Sequence, residues 1–533
     1  MDGFLSDTSL ATQFMQRLYL LTRVRRHLVI SARGLTPSQI GRFRTSKLDV
    51  PFHSAQSRQA QQTENNSFFP PGASSTWSKV DPSLVVDIAL KTLIGLGVIF
   101  TGGSLYVFWY KNDVISKIEA AFNETLNDAA LVQLIKQELS RFDLLTPDLE
   151  HADLQRLAAK LSEVHPRQPD QDIVDSIVKG EIAGSYFLFV GPKGAGKSGM
   201  LFDAMLDMRN KGSVFLEAHP DLEVFRLRLG NALNYEFSED MQAGLFQRPY
   251  PRSGGPAMDI ERALDKLHEV AMRCGRRRRP LVLVITKIQN FHNNDQGRNL
   301  LLQIQQYAER WAMRGIVTVV FTTDDVWPYT LLRKSATLME VRSVQDLDWE
   351  MSRRTLLCRR PDAINVDSVV RVVGGRQSYL NKVSKAEDSE MLQAAQDLLR
   401  LEKAWLENRL GLIPDCDNDD EVVTQQKWSL HCWTLLREFV RLYRAEQKAS
   451  GDSWDPLKLP VIPAWRCQQI MTRPDYLDEL DRLDVVYIDM NSNVQPDSML
   501  ILRAALDIVE REGFDELLEV VRCRIKEIEN LRR

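Results

Sequence analysis

Tyr186-Phe187-Leu188-Phe189-Val190-Gly191-Pro192-Lys193-Gly194-Ala195-Gly196-Lys197-Ser198 is a short apolar run that passes into the string G-x-x-x-x-G-K-[ST]. Five apolar residues in a row suit a strand buried on both faces, and a helical pattern follows over residues 199–208. Strand, glycine-rich loop and helix in that order give the string its physical meaning. The glycines let successive backbone N–H groups turn toward a phosphate, and the helix N-terminus adds its dipole. On this reading Gly191, Pro192, Lys193, Gly194, Ala195, Gly196, Lys197 and Ser198 cradle the phosphates of a nucleoside triphosphate, with Mg·ATP the expected ligand. Lys197 neutralises the β- and γ-phosphates and Ser198 ligates Mg2+. A glycine-rich turn without a ligand is the competing reading, and it leaves the flanking strand and helix unexplained.

Working outward, further short apolar runs lie at Ser213–Glu217, 281–285, 316–322 and 338–341, with helical stretches between them. Strands and helices alternating at this spacing predict a parallel sheet sandwiched by helices, an α/β fold. After the last of these runs come Val372-Val373-Gly374-Gly375-Arg376-Gln377-Ser378-Tyr379-Leu380 and a predominantly helical remainder.

The glycine-rich loop, the strand ending in Thr322-Thr323 and the Gly-Gly-Arg segment together resemble AAA+ ATPases of the initiator and archaeal-type branch. More narrowly, the chain is similar to a group of fungal mitochondrial AAA proteins with a C-terminal winged-helix domain, over about residues 165–533. The resemblance implies a P-loop core at 169–345, a helical lid at 346–400 and a winged-helix-containing domain at 401–533. It also implies roles. Thr322 or Thr323 corresponds to the sensor 1 group beside the P-loop, and Arg376 to the sensor 2 arginine that reads the γ-phosphate. Arg333 lies where such proteins carry the arginine finger that reaches a neighbour's nucleotide, which makes a self-oligomer or a protein client the expected partner. For any one of these arginines, a surface ion pair is the plainer alternative.

One departure matters for chemistry. The apolar run 281–285 is the natural Walker B strand, which in working ATPases ends in two acids that organise Mg2+ and polarise the attacking water. Here it ends in Thr286-Lys287. Lysine cannot act as a base there, and its cation is expected to add to the charge near the γ-phosphate. The nearest later acid is Asp295, and after the next strand come Asp324 and Asp325. Because phosphoryl transfer rests on positioning and electrostatics, nucleotide binding is expected to survive while hydrolysis is slow or absent.

The N-terminal end reads as an address and an anchor. Residues 1–80 carry ten Lys/Arg against four acids, and the first 46 include seven arginines on an amphipathic, serine-containing pattern. Such a start resembles a mitochondrial presequence, although a disordered basic tail has the same composition. A Gln/Ser/Asn-rich linker at 47–83 follows. Residues 92–110 contain no charge, and about 20 apolar residues suffice to cross a hydrocarbon core of about 30 Å. A single transmembrane helix at 84–110 is expected, ended by Trp109-Tyr110-Lys111 at the interface. Presequence plus one span implies the mitochondrial inner membrane. The basic flank leans toward a large domain in the intermembrane space. Residues 111–168 have helical periodicity and read as a neck.

The remaining features exclude more than they assign. The chain has 533 residues, a formal net charge of −4 and six scattered cysteines, none in CxxC spacing, so neither a zinc site nor a disulfide framework is indicated. Asp415, Asp417 and Asp419 have the start of an EF-hand pattern, but Asp420 and Gln426 occupy its glycine and glutamate positions. Arg276, Arg277, Arg278 and Arg279 form a basic run, either a solvated loop or a patch for lipid or RNA. Toward the C-terminus, helices at 398–410, 427–448, 465–473 and 475–483 precede strands expected at 485–489 and 498–502, the order of a winged helix. The helix that would enter a DNA groove holds Asp475, Asp478, Glu479 and Asp481, with Asp484 just after, against Arg482. Phosphate binding needs the opposite sign, so this domain is expected to dock protein rather than nucleic acid. Three functions remain in order: a nucleotide-dependent switch or scaffold, an active ATPase remodelling inner-membrane proteins, and an organellar nucleic-acid tether.

Overall fold

In the computed structural model, residues 82–122, 167–168, 170–207, 212–237, 255–275, 279–361, 363–386, 390–451 and 454–531 are described. Of two compact units, Met1–Leu84 contributes only the first turn of one helix to these residues, and Val85–Arg533 holds the rest. The presequence and most of the linker and neck lie outside the described residues, as do Arg276, Arg277 and Arg278.

Helix α1 (Pro82–Ala121) is 40 residues long. Residues 92–109 of it carry no charge and are largely exposed, with Phe100 at 77%. By length and composition Val86–Ala121 is a candidate membrane span. Its last turns behave differently. Tyr110, Val114, Ile118 and Phe122, spaced four apart on one stripe, are buried in the core of the α/β domain. Tyr110, placed at the end of the span by its sequence, therefore belongs to the soluble core.

The core follows: α2 (Gln171–Val178), β1 (Tyr186–Val190), α3 (Lys197–Asp207), β2 (Ser213–Glu217), α4 (Leu222–Ala232), α5 (Gly255–Cys274), β3 (Leu281–Thr286), α6 (Asp295–Arg314), β4 (Val317–Thr323), α7 (Trp327–Arg333) and β5 (Met339–Ser343). The strands pair in parallel in the order β2-β3-β4-β1-β5. Four of the five are buried nearly end to end, because helices cover both faces. Side chains alternate between those faces. Leu188, Val190, Leu283, Ile285 and Phe321 join the cluster under α4, α5 and α6. Phe187, Phe189, Val282, Val284 and Val320 join the cluster under α2 and α3. The sheet order puts β4 between the P-loop strand and β3, so the end of β4 is the nearer neighbour of the loop.

The lid contains α8 (Trp349–Arg359), α9 (Val366–Val373) and α10 (Gln377–Val383), packed on α11 (Met391–Arg409) around Leu356, Val370, Val373 and Leu380. The C-terminal domain adds α12 (Asp420–Ser450), β6 (Ile462–Pro463), α13 (Ala464–Met471), α14 (Pro474–Arg482), β7 (Val486–Ile488), β8 (Asn493–Pro496), α15 (Met499–Val509) and α16 (Phe514–Leu531). Its antiparallel sheet runs β6-β8-β7.

One sequence expectation is corrected here. The wing's second strand is Asn493–Pro496, and the run 498–502 opens a helix. Ser498 caps it, its hydroxyl accepting from the Ile501 N–H at 3.3 Å. An all-apolar run reads equally as a buried strand or as a helix buried all round, and the cap decides for the helix. Near the EF-hand-like acids, Asp419 caps α12 by accepting from the Glu421 N–H. No metal-binding cluster occurs among the described residues.

Deleting residues 84–109 while keeping 1–80 removes the exposed apolar length and spares the docked stripe from Tyr110 onward. The expected result is a folded protein released by carbonate extraction. Retention in the membrane pellet would show that another segment anchors it.

Candidate functional site

Strand β1 delivers Gly191–Ser198 to the edge of the sheet, and α3 begins at Lys197. Gly194 and Gly196 lie at φ of +82° and +113°, backbone that residues with a Cβ rarely adopt, so the loop shape requires glycine at both. Lys197 is buried. Its ammonium donates to Gly191 O at 2.7 Å and Pro192 O at 2.9 Å and pairs with Asp324 Oδ1 at 2.6 Å. Burial lowers its pKa and the Asp324 carboxylate opposes that shift. Ser198 sits in the first turn of α3, half-buried.

Asp324 is the residue the sequence singled out least clearly. It directly follows β4, and with Val320 and Thr322 it continues the set of alternate residues on the α3 face. Its Oδ2 accepts from Gln289 Nε2 at 2.7 Å. The two threonines before it are engaged locally. Thr322 Oγ1 accepts from the Lys287 N–H at 3.0 Å, and Thr323 Oγ1 donates to Asp325 O at 2.9 Å. Burial, with Asp324 and Asp484 nearby, pushes the Asp325 carboxyl up to about 6.

At the end of β3, Thr286 is buried and its hydroxyl lies 3.5 Å from Leu216 O. Lys287 takes a left-handed conformation, at φ 55° and ψ 48°. Its ammonium pairs with Glu217 at the end of β2, at 2.8 Å. The expectation of a Lys287 cation near the γ-phosphate is therefore corrected: the ammonium is held at the far edge of the sheet, with β3 and β4 between β2 and the loop.

Arg376 is 2% exposed at the N-terminal boundary of α10. Its Nε donates to Asp346 Oδ1 at 2.6 Å. Nη1 donates to Lys193 O at 2.6 Å and to Asp497 Oδ2 at 2.9 Å, and Nη2 donates to Asp497 O. Burial opposes its charge, but Asp346 and Asp497 outweigh burial and hold its pKa above the ordinary arginine value. One guanidinium thus joins the P-loop, the segment after β5, the lid and the winged-helix domain. Arg333, by contrast, is exposed at the end of α7, its guanidinium 5.9 Å from the Tyr329 ring centroid.

The acids of the C-terminal domain account for this closure. Asp484 pairs with Lys193 of the P-loop at 2.8 Å, a hydrogen bond that raises the lysine's pKa. Asp481 accepts from the Val326 N–H at 3.0 Å, and burial pushes its carboxyl well above the usual range. Asp497 meets Arg376. Negative charge on and after α14 is, at these positions, directed at donors around the glycine-rich loop.

Residues 407–529 match the family model described as fungal AAA protein, C-terminal winged helix domain. No curated protein matches the chain. Among solved structures, the Walker-type ATPase PABY2304 of Pyrococcus abyssi is 12% identical, covering 68% of this chain and 99% of that one at a TM-score of 0.40. The ORC2 protein of Aeropyrum pernix, in ADPNP and ADP complexes, is 14% identical, covering 72% and 96% at 0.31. The ORC1 protein of the same organism, in complex with DNA, is 16% identical, covering 70% and 96% at 0.30. In this chain an α/β core carrying the G-x-x-x-x-G-K-S loop is joined to a segment similar to the C-terminal winged-helix domain of fungal AAA proteins.

Proposed function

We propose that the protein is a membrane-anchored AAA+-type nucleotide switch, which binds Mg·ATP at Gly191–Ser198 and uses the γ-phosphate to set the pose of its winged helix. The observation that carries this reading is the buried Arg376, which bonds the P-loop at Lys193 O and the winged-helix domain at Asp497. A γ-phosphate and the Asp497 carboxylate are competing anions for one guanidinium, so nucleotide binding and domain docking are coupled. Ser198 is the residue that would ligate Mg2+. The loop's fit to a triphosphate rests on its left-handed glycines and its buried lysine. The basic start and the exposed apolar length of α1 support an inner-membrane location with the large domain in the intermembrane space.

Hydrolysis is slow on this reading, because Thr286 and Lys287 stand where acids would polarise water and Lys287 is committed to Glu217. Steady-state phosphate release from the purified protein is expected to fall well below the ~10 s⁻¹ typical of enzymes. Saturating Mg·ATP is expected to change hydrogen exchange across residues 484–497. An unchanged exchange pattern with nucleotide bound would sink the switch. Release at a normal enzymatic rate would favour the second reading, an active ATPase, whose supporting observation is the Asp324 carboxylate beside Lys197.

A further inference from the structure

We propose that Asp324, at the end of the strand next to the P-loop, is the carboxylate that secures magnesium in this site, standing in for the acids missing after β3. The inference rests on the reading of Gly191–Ser198 as an ATP site, and it holds whether or not the ATP is hydrolysed.

The argument begins with sheet order. A carboxylate that organises the metal has to lie beside the P-loop lysine and the first turn of α3. Thr286, at the end of β3, is on the correct face, but it carries no charge. Strand β4 pairs directly with β1, in the register Val190↔Thr323, so the next residue emerges level with the start of the loop. Alternation then turns Asp324 to the α3 face. Gln289 pins one carboxylate oxygen at 2.7 Å, leaving the other on Lys197 at 2.6 Å.

This placement gives Asp324 two opposed effects. Without metal, its negative charge occupies Lys197 and repels the phosphates, so it weakens ATP binding. With Mg2+, the cation offsets that repulsion, and the carboxylate accepts hydrogen bonds from the metal's water shell. Lys197 is then released to the phosphates. Asp325 does not share the role: its main-chain oxygen is tied to Thr323, and the charges around its carboxyl include Asp484 and Arg482 of the winged-helix domain.

The test is ATP affinity of the full chain, by calorimetry, in Mg2+ and in EDTA, for the wild type and for Asp324→Asn. Asparagine keeps the shape and can still accept from Gln289 through its amide oxygen. The wild type is expected to bind at least 10-fold tighter with Mg2+. In Asp324→Asn the metal-free affinity should rise several-fold while the Mg2+ advantage collapses toward one. If the variant keeps the wild-type ratio, or loses affinity equally in both buffers, the proposal is overturned. If Asp324→Asn does not fold, Asp324→Ser gives the same comparison. Absence of ATP binding by the wild type in either buffer would instead overturn the ATP-site reading itself.

Discussion

Lys197→Ala is expected to abolish measurable ATP binding and the thermal stabilisation that Mg·ATP gives the wild type. The ammonium is buried, and it bonds Gly191 O, Pro192 O and Asp324, so it stands at the centre of the loop. Its removal does two things. The phosphates lose their fixed cation, and Asp324 is left as an uncompensated negative charge where they must sit. Truncating one partner of a desolvated charge pair costs about 2–5 kcal/mol, or roughly 30- to several-thousand-fold in affinity. A ligand at 100 times its Kd stabilises by about 2.7 kcal/mol, and that shift should vanish. Combining Lys197→Ala with Asp324→Asn should recover part of the binding, because the repelling charge is gone. Unchanged affinity in Lys197→Ala would remove the P-loop as the nucleotide site.

Arg376→Ala is expected to be strongly destabilising. It leaves Asp346 and Asp497 facing one another across the junction without a cation. Breaking a buried ion pair by removing one partner costs about 3–5 kcal/mol, chiefly because the remaining charge is buried and unpaired. Urea denaturation should show this as a lower midpoint, and the docking of the winged helix should loosen with it. Arg376→Lys should recover only part of the loss. A single ammonium cannot reproduce a planar fork that meets Asp346, Lys193 O and Asp497 together. Arg376→Met combined with Asp497→Asn should regain most of the stability, since the desolvated charges are then largely removed. That pair of variants would also lack coupling between nucleotide and winged helix, which separates the switch from the stability effect. Wild-type stability in Arg376→Ala would contradict the buried network.

The elements were legible to different degrees, and the reason is physical in each case. Strand β1 was read to the residue, because a buried strand is a local pattern, and the helix after the glycine-rich loop begins two residues before the expected 199. Strand β2 was equally clear, and β3, β4 and β5 shifted by only one or two residues at their ends. The negative charge of α14 was legible from the sequence, whereas the donors its acids meet were not: Asp481 accepts from the Val326 N–H. The wing's second strand was misplaced, because Met499, Leu500, Ile501 and Leu502 are apolar in both readings and only the Ser498 cap distinguishes them. Tyr110 looked like an interfacial residue and is a core residue, since its stripe with Val114, Ile118 and Phe122 faces the α/β domain.

By itself the sequence determined that a strand, a glycine-rich loop and a helix follow one another, that no acid ends the third strand, and that an uncharged apolar length precedes the core. These depend on neighbours along the chain, where spacing and backbone geometry carry the information. Only the tertiary structure decided which carboxylate stands beside Lys197 and what holds Arg376. Asp324 reaches the lysine because β4 lies between β1 and β3, an order that no local pattern encodes. Arg376 meets Asp497 across 121 residues of chain because two domains dock. Lys287 was assigned to the phosphates from its position in the sequence, and the left-handed turn after β3 sent its charge to Glu217 instead.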